Sequence, residues 1–274
     1  MNTVHLVKKN PGSPLRRACA NCASHDWCLP AALDAQETKL LDRLSVHDRL
    51  IGRGGAVYRS GTAFHSLYAI RSGFVKSTIT LHDGRERVTG LHMHGELIGM
   101  DAINTGSYMC DAVALEDSSV CAIPFGELEC VIRDIPALQR YLHRTMSREI
   151  AHDYGVMLLL GSMRAEERVA VFLTTLSKRY AARGYSATRI NLRLRREEIG
   201  SYLGLKLETV SRVLSRFQEN HLITVQHKDV EIKDLDRLNR MVGNHHAMHQ
   251  RASHQVLRAA AAAPAPLQSG SQYA

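Results

Sequence analysis

Over residues 52–125 the apolar side chains come in short alternating runs that stop at glycines, whereas over 136–180 they recur at helical spacing. A chain that changes period once, and does not alternate strand with helix, folds as an all-β unit followed by helices, an α+β arrangement. The β stretch reads as runs at 67–70, 74–81 and 88–93, separated by turns at Arg71-Ser72-Gly73 and His82-Asp83-Gly84 and followed by Gly95. An Asp-Gly pair between alternating runs is a strong hairpin signal, so the unit reads as a barrel or roll. Before it, Leu40, Leu41 and Leu44 suggest a short helix within 35–47.

The helical stretch 136–180 reads mostly as one long helix, with Gly155 and Gly161 as weak interruptions. Along it, Met146, Ile150, Asp153, Met157 and Leu160 follow steps of four, three, four and three. That is the seam of a coiled coil with one carboxylate in an apolar row. Such a face packs on the β unit or pairs two copies of the chain; we read it as a dimerisation face. Two Asp153 side chains facing each other oppose pairing, so the dimer is expected to be marginal and open to control.

With 45% hydrophobic residues in 274, the chain can build real cores and is not a disordered polymer. No uncharged apolar run approaches the ~18 residues a membrane helix needs. Lys8, Lys9, Arg16 and Arg17 are followed by no apolar stretch long enough for a signal-peptide core, so a cytoplasmic protein without membrane partners is expected. The net charge of +8 is unevenly spread: residues 164–220 hold twelve Lys or Arg against six acids. A basic module beside a mildly acidic one points to a polyanion, most simply double-stranded DNA.

Within that basic stretch, Gly204 falls where two short helices meet. Ile199 and Leu203 face inward from the first, Leu205 fills the turn, and Val210, Val213, Leu214 and Phe217 form the buried stripe of the second. Glu208, Ser211 and Arg212 stand on its outward face near the N-terminus, the end that enters a major groove in a helix-turn-helix. Arg donates two hydrogen bonds to guanine, Glu accepts from cytosine N4, and Ser does either, so these three are the base-reading candidates. Lys206, Thr209 and Arg216 are suited to phosphate, which gives affinity and register. Runs at 222–225 and 230–232 about a polar turn at His227-Lys228-Asp229 add a β wing.

Six cysteines occur, at 19, 22, 28, 110, 121 and 130. Cys19, Cys22 and Cys28 have the spacing C-x2-C-x5-C, which lets three thiolates converge on one centre, with a fourth ligand from Cys110, Cys121 or Cys130. His25 is a weaker substitute. Soft thiolates select zinc or an iron-sulfur cluster; spacing does not separate them, and zinc knuckles are common enough to favour zinc on spacing alone. Cys130, in the apolar run Leu128-Glu129-Cys130-Val131-Ile132, reads as a small buried hydrophobe. The alternation around Cys121 leaves core and ligand equally open.

Taken together, the chain resembles the oxygen-sensing FNR branch of the CRP/FNR transcription regulators from Cys19 to about Leu238. The likeness is carried by Ser66-Leu67-Tyr68-Ala69-Ile70-Arg71-Ser72-Gly73, Gly95-Glu96-Leu97-Ile98-Gly99, Leu158-Leu159-Leu160, Ala165-Glu166-Glu167-Arg168 and, most specifically, residues 202–212. The resemblance implies that Glu208, Ser211 and Arg212 read a TTGAT half-site of a palindrome. It implies that Cys19, Cys22, Cys28 and Cys121, the last followed by Ala122-Ile123-Pro124-Phe125, hold an oxygen-labile [4Fe-4S] cluster, which replaces the zinc preference; Cys110 and Cys130 are left without roles.

The implied layout is a cysteine segment over 1–30, a β-roll like that of cyclic-nucleotide-binding jelly rolls over 31–135, a dimerisation helix over 136–180, a winged helix-turn-helix over 181–243 and a disordered tail over 244–274. The intact cluster would support a DNA-binding homodimer without oxygen, and the bound protein would recruit or block RNA polymerase, with the turn near Asp83-Gly84 as a contact. The stretch Tyr108-Met109-Cys110-Asp111-Ala112-Val113 lacks the phosphate-gripping Arg of the cyclic-nucleotide branch, and Asp111 would repel phosphate, so no cyclic nucleotide is expected. The alternatives are a zinc-stabilised DNA-binding regulator without oxygen sensing, and an enzyme. For the last there is no nucleophile elbow, phosphate loop or paired-carboxylate motif.

Overall fold

The computed structural model describes Cys19, Cys22 and residues 25–242; the tail and the basic start read from the sequence lie outside the described residues. The chain forms two compact units. Among the described residues, one comprises those up to Ser162 together with Leu192–Ser211, the other Met163–Asn191 and those from Arg212 to Val242.

In the first unit two four-stranded antiparallel sheets face each other. One has the order β1 (His47–Ile51), β8 (Ser118–Pro124), β3 (Ser66–Ser72), β6 (Leu97–Ile98). The other runs β2 (Ala56–Tyr58), β7 (Asp111–Ala114), β4 (Phe74–Thr80), β5 (Glu86–Met93). The β4–β5 hairpin turns about Asp83-Gly84, where the Asp-Gly pair predicted it; at the predicted turn of Gly73 the chain instead changes sheet, with a backbone φ of 87° that favours glycine.

Side chains alternate across a strand, and on β3 and β8 both faces are buried, against different things. Tyr68, Ile70, Val120 and Ala122 point between the sheets into a core with Tyr58, Val75, Tyr108 and Cys110. There Tyr58 stacks on Tyr108 at 4.0 Å and Phe64 meets Tyr108 edge-on at 5.6 Å. Leu67, Ala69, Cys121 and Ile123 point the other way, into a second core. This outer core is closed by Leu29, Leu41 and Leu44, by Leu128 and Val131 of α2 (Phe125–Asp134), and by Leu138 and Leu142 of α3 (Pro136–Ser162). The short helix α1 (Ala35–Leu40) starts at Asp34, whose carboxylate accepts from the Gln36 and Glu37 amides.

The long helical stretch is not continuous. It breaks at Met163-Arg164, and α4 (Ala165–Ala181) begins a new helix. Arg164 is extended (φ −73°, ψ 161°), and its amide donates to Glu167 Oε2 at 2.7 Å, half of a capping box. The helical period persists on both sides of the break, so only the cap marks it; the two glycines do not interrupt α3. No described helix is long and apolar enough to cross a membrane.

In the second unit α4 packs on α7 (Leu235–Met241) and on a three-stranded sheet, β10 (Ile223–Gln226), β11 (Asp229–Ile232) and β9 (Arg189–Asn191). The predicted wing is the β10–β11 hairpin, turning at His227-Lys228 with His227 at φ 55°. Its third strand and α7 were not read from the sequence, because three residues carry no period and α7 is seven residues long.

Candidate metal centre and nucleic-acid interface

Three of the four resemblance-derived cluster cysteines meet on the outer core. Cys19, Cys28 and Cys121 all pack against it, in company with Met100, Ile132 and Tyr141. The Cys22 amide donates to the Cys19 carbonyl at 3.2 Å, which holds the two residues close together. Strand alternation brings the fourth thiol there: Cys121 shares its face of β8 with Ile123, whereas Val120 and Ala122 enter the interior. None of the six cysteines is disulfide-bonded.

The thiols feel one another. Burial pushes Cys19 up to about 11, with Cys22 adding to it. Burial pushes Cys28 up to about 12, with Cys19 and Cys22 contributing. Cys121 is raised too, by burial first, then by Asp48, with Cys28 adding to it. Cys121 Sγ donates to Asp48 Oδ1 at 3.4 Å, and Asp48 is ion-paired with Arg71. Burial works against the Arg71 cation, but Asp48, Cys121 and Cys22 outweigh it and hold its pKa up. Among the described residues no three His, Cys, Asp or Glu side chains lie close enough to hold one metal ion. The four thiols the resemblance names are soft donors, three of them against the apolar core and one bonded to Asp48, a chemistry that suits thiolate-loving iron or zinc and not a hard cation.

Asp48 and Arg71 escaped the sequence reading as members of this site. Asp48 faces Cys121 only through the β1–β8 register, which has no local signature. The remaining cysteines part company. Cys110 is buried in the interior core, 4.0 Å from the Tyr58 hydroxyl and 3.7 Å from Asp101 Oδ2, on the far side of the sheet from Cys121. Cys130, read as buried, is exposed: α2 buries Leu128 and Val131, and a residue between them on a helix points elsewhere. Asp111 is not a lone negative charge, since Arg59 pairs with it at 2.6 Å and the Ser60 amide donates to it at 2.7 Å.

The helix-turn-helix forms as read. Helix α5 (Arg196–Leu203) ends at Gly204 in the left-handed region, φ 63°, and the Leu205 amide donates back to the Gly200 carbonyl at 2.8 Å. A Cβ on Gly200 would lie 2.6 Å from the Leu205 oxygen, so the turn needs glycine at both positions. Helix α6 (Leu207–Glu219) follows. Ile199, Leu203, Val210, Val213, Leu214 and Phe217 are buried, while Glu208, Ser211 and Arg212 are exposed together. Lys206 is exposed and Thr209 half-buried; Arg216 is exposed but ion-paired with Glu166. On α3, Ile150, Asp153 and Met157 are exposed and Met146 and Leu160 half-buried, and Tyr154 and Leu158 widen the same apolar surface.

A β-roll followed by a helix-turn-helix whose reading face is open defines a DNA-binding transcription regulator. The family model of the cyclic nucleotide-binding domain matches residues 49–134, and that of the Crp-like helix-turn-helix domain matches 167–241. The chain is 43% identical over 225 residues to the transcriptional activator protein Anr of Pseudomonas protegens, covering 82% of this chain and 92% of that one. It is 41% identical over 225 residues to the anaerobic regulatory protein of Haemophilus influenzae, covering 82% and 88%. Among solved structures, FixK2 from Bradyrhizobium japonicum superposes with a TM-score of 0.67 at 29% identity, over 72% of this chain and 98% of that one. The chain belongs to the CRP/FNR family of transcription regulators. It is a regulator and not an enzyme.

Proposed function

We propose that this protein is an oxygen-responsive regulator: Cys19, Cys22, Cys28 and Cys121 hold a [4Fe-4S] cluster, and without oxygen the protein binds palindromic TTGAT-type sites as a homodimer. The observation that carries this reading is the side of β8 from which Cys121 projects, onto the same core as Cys19 and Cys28. When bound, such a cluster supplies an oxygen-labile charged centre. The chain does the rest. The buried thiols hold their protons when bare, so loading releases protons and ties the amino-terminal segment to β8. Arg71 sets a positive charge beside the thiols, and Asp48 holds Arg71. Glu208, Ser211 and Arg212 read bases, and Lys206 meets phosphate.

The exposed apolar surface of α3 supports pairing with a second copy, with Asp153 weakening it. A palindromic site needs two reading helices at fixed spacing, so control of pairing is control of DNA binding. Two relatives carry names that point to the same physiology, an anaerobic regulatory protein and a fumarate nitrate reduction regulatory protein. We also infer a cytoplasmic protein that contacts RNA polymerase when bound and takes no cyclic nucleotide; Tyr58, Tyr68 and Tyr108 occupy the interior of the roll.

The test is purification without oxygen, with iron and sulfide counts, an absorption spectrum followed as air is admitted, and binding to a TTGAT palindrome in the same sample. Four irons per chain, bleaching in air and parallel loss of DNA binding are expected, since a [4Fe-4S] cluster has about four of each. Zinc without iron, with DNA binding indifferent to air, would overturn the reading in favour of a redox-insensitive regulator.

A further inference from the structure

Helix α5 is held to the β-roll by polar contacts that its role as the first helix of a DNA-reading pair does not require. On β4, Val75 enters the interior core, so Lys76 emerges on the outer face of the sheet, where a lysine ordinarily meets water. Here it is buried, and its Nζ donates to Glu198 Oε1 of α5 at 2.8 Å, with both side chains about one-tenth exposed. Glu198 is fully engaged: its other oxygen accepts from the Arg195 amide at 2.7 Å and caps α5. One turn on, Ser201 Oγ accepts from the Val88 amide at 2.9 Å and donates to the Glu86 carbonyl at 3.3 Å. Because β5 is the edge of its sheet, that amide points off the edge, and α5 supplies its partner. Just before α5, Arg193 pairs with Glu116 at 2.8 Å and lies over the Phe74 ring at 5.2 Å.

We propose that Lys76, through Glu198, is a positioning residue for DNA reading: it locks α5 in register on β4–β5 and thereby sets where Glu208 and Ser211 point. Apolar packing lets a helix slide or rotate, whereas a buried charge pair and an edge-strand hydrogen bond each admit one register. The α5–α6 turn is itself tight, closed by Gly200 and Leu205, so a helix fixed at Glu198 and Ser201 hands its placement to the start of α6. In this docked arrangement Glu208 and Ser211 stay exposed, so the contact presents the reading face and does not mask it. The inference rests on the DNA-binding reading above and adds a residue on the sensory roll to the reading machinery.

The experiment uses the full chain purified without oxygen and a fluorescent TTGAT-palindrome duplex. Lys76→Met is expected to weaken binding about tenfold or more, with iron content and dimer fraction as in the parent, while Lys76→Arg stays near the parent. Lys76→Met leaves Glu198 buried without its partner and lowers the melting temperature. Adding Glu198→Gln removes that charge, keeps an acceptor for the Arg195 amide, and is expected to restore melting temperature without restoring DNA affinity. That split separates positioning from stability. Parent-like or tighter DNA binding by Lys76→Met overturns the proposal, as does affinity that returns with melting temperature in the double variant. If the parent itself ignores the duplex, the DNA-binding reading has failed; if it binds and Lys76→Met binds equally, only this inference has.

Discussion

Glu208, Ser211 and Arg212 come from five consecutive residues of one helix, whereas Cys121 joins Cys19 and Cys28 only because β8 turns its odd-numbered side chains onto the outer core. The reading face is a local object. Helical spacing puts its side chains on one surface, and any helix with that pattern presents them. The proposed cysteine centre is a non-local one, depending on strand register and on the face chosen by alternation. Damage to a local site is graded, one contact at a time. Damage to such a convergent site is expected to be close to all-or-none, since each proposed donor would serve a shared centre.

The sharpest way to break that contrast is at the sulfurs. Cys121→Ser should lose most of the iron and the oxygen-dependent DNA binding, while Cys110→Ser, in the other core, and Cys130→Ser, on the surface, keep both; iron counts on the three proteins decide it. A Cys110→Ser variant that loses iron as completely would show that alternation on β8 does not select the ligand. On the reading helix, Arg212→Ala should weaken binding to the cognate palindrome by about 1–3 kcal/mol and relax preference at one base pair. Lys206→Ala should lower affinity evenly across sequences and reduce the salt dependence by about one charge. Titrations on cognate and substituted duplexes at several salt concentrations separate these outcomes.

A smaller effect is expected at the seam. Asp153→Ala should favour the dimer in air by on the order of 1 kcal/mol, read by sedimentation; an unchanged monomer–dimer balance would remove Asp153 from the account. The mildest is in pH. Burial alone would raise the Glu198 carboxyl, but the hydrogen bond from Lys76, the Arg195 amide and the two nearby cations outweigh it and hold its pKa below the ordinary value. A depressed carboxylate contributes stability above its unfolded pKa of about 4.3 and loses it as pH falls through the folded one. The stability gap between the parent and Lys76→Met should therefore stay constant through neutral pH and close in acid, as followed by thermal unfolding.

Much of the molecule was legible because its signals are short-range. Alternation and glycine turns located β3, β4 and β5 to within two residues at each end, and Gly204 with its flanking apolar stripe located both helices of the reading pair. Cys130 was misread because an apolar run on a helix still has an outward side, and the break at Met163-Arg164 was missed because a capped restart keeps the helical period. Asp48, Arg71 and the Lys76–Glu198 pair had no sequence signal: each acquires its partner across 23 or more positions.

What the sequence by itself determined is everything that depends on neighbours within a turn or a hairpin: the switch from strand to helix, the wing, and the three exposed side chains of the reading helix. Tertiary structure alone decided which cysteine faces the amino-terminal thiols and what buries Lys76. The reason is that a strand's two faces look alike in one dimension, and only packing in three tells each face what it will touch.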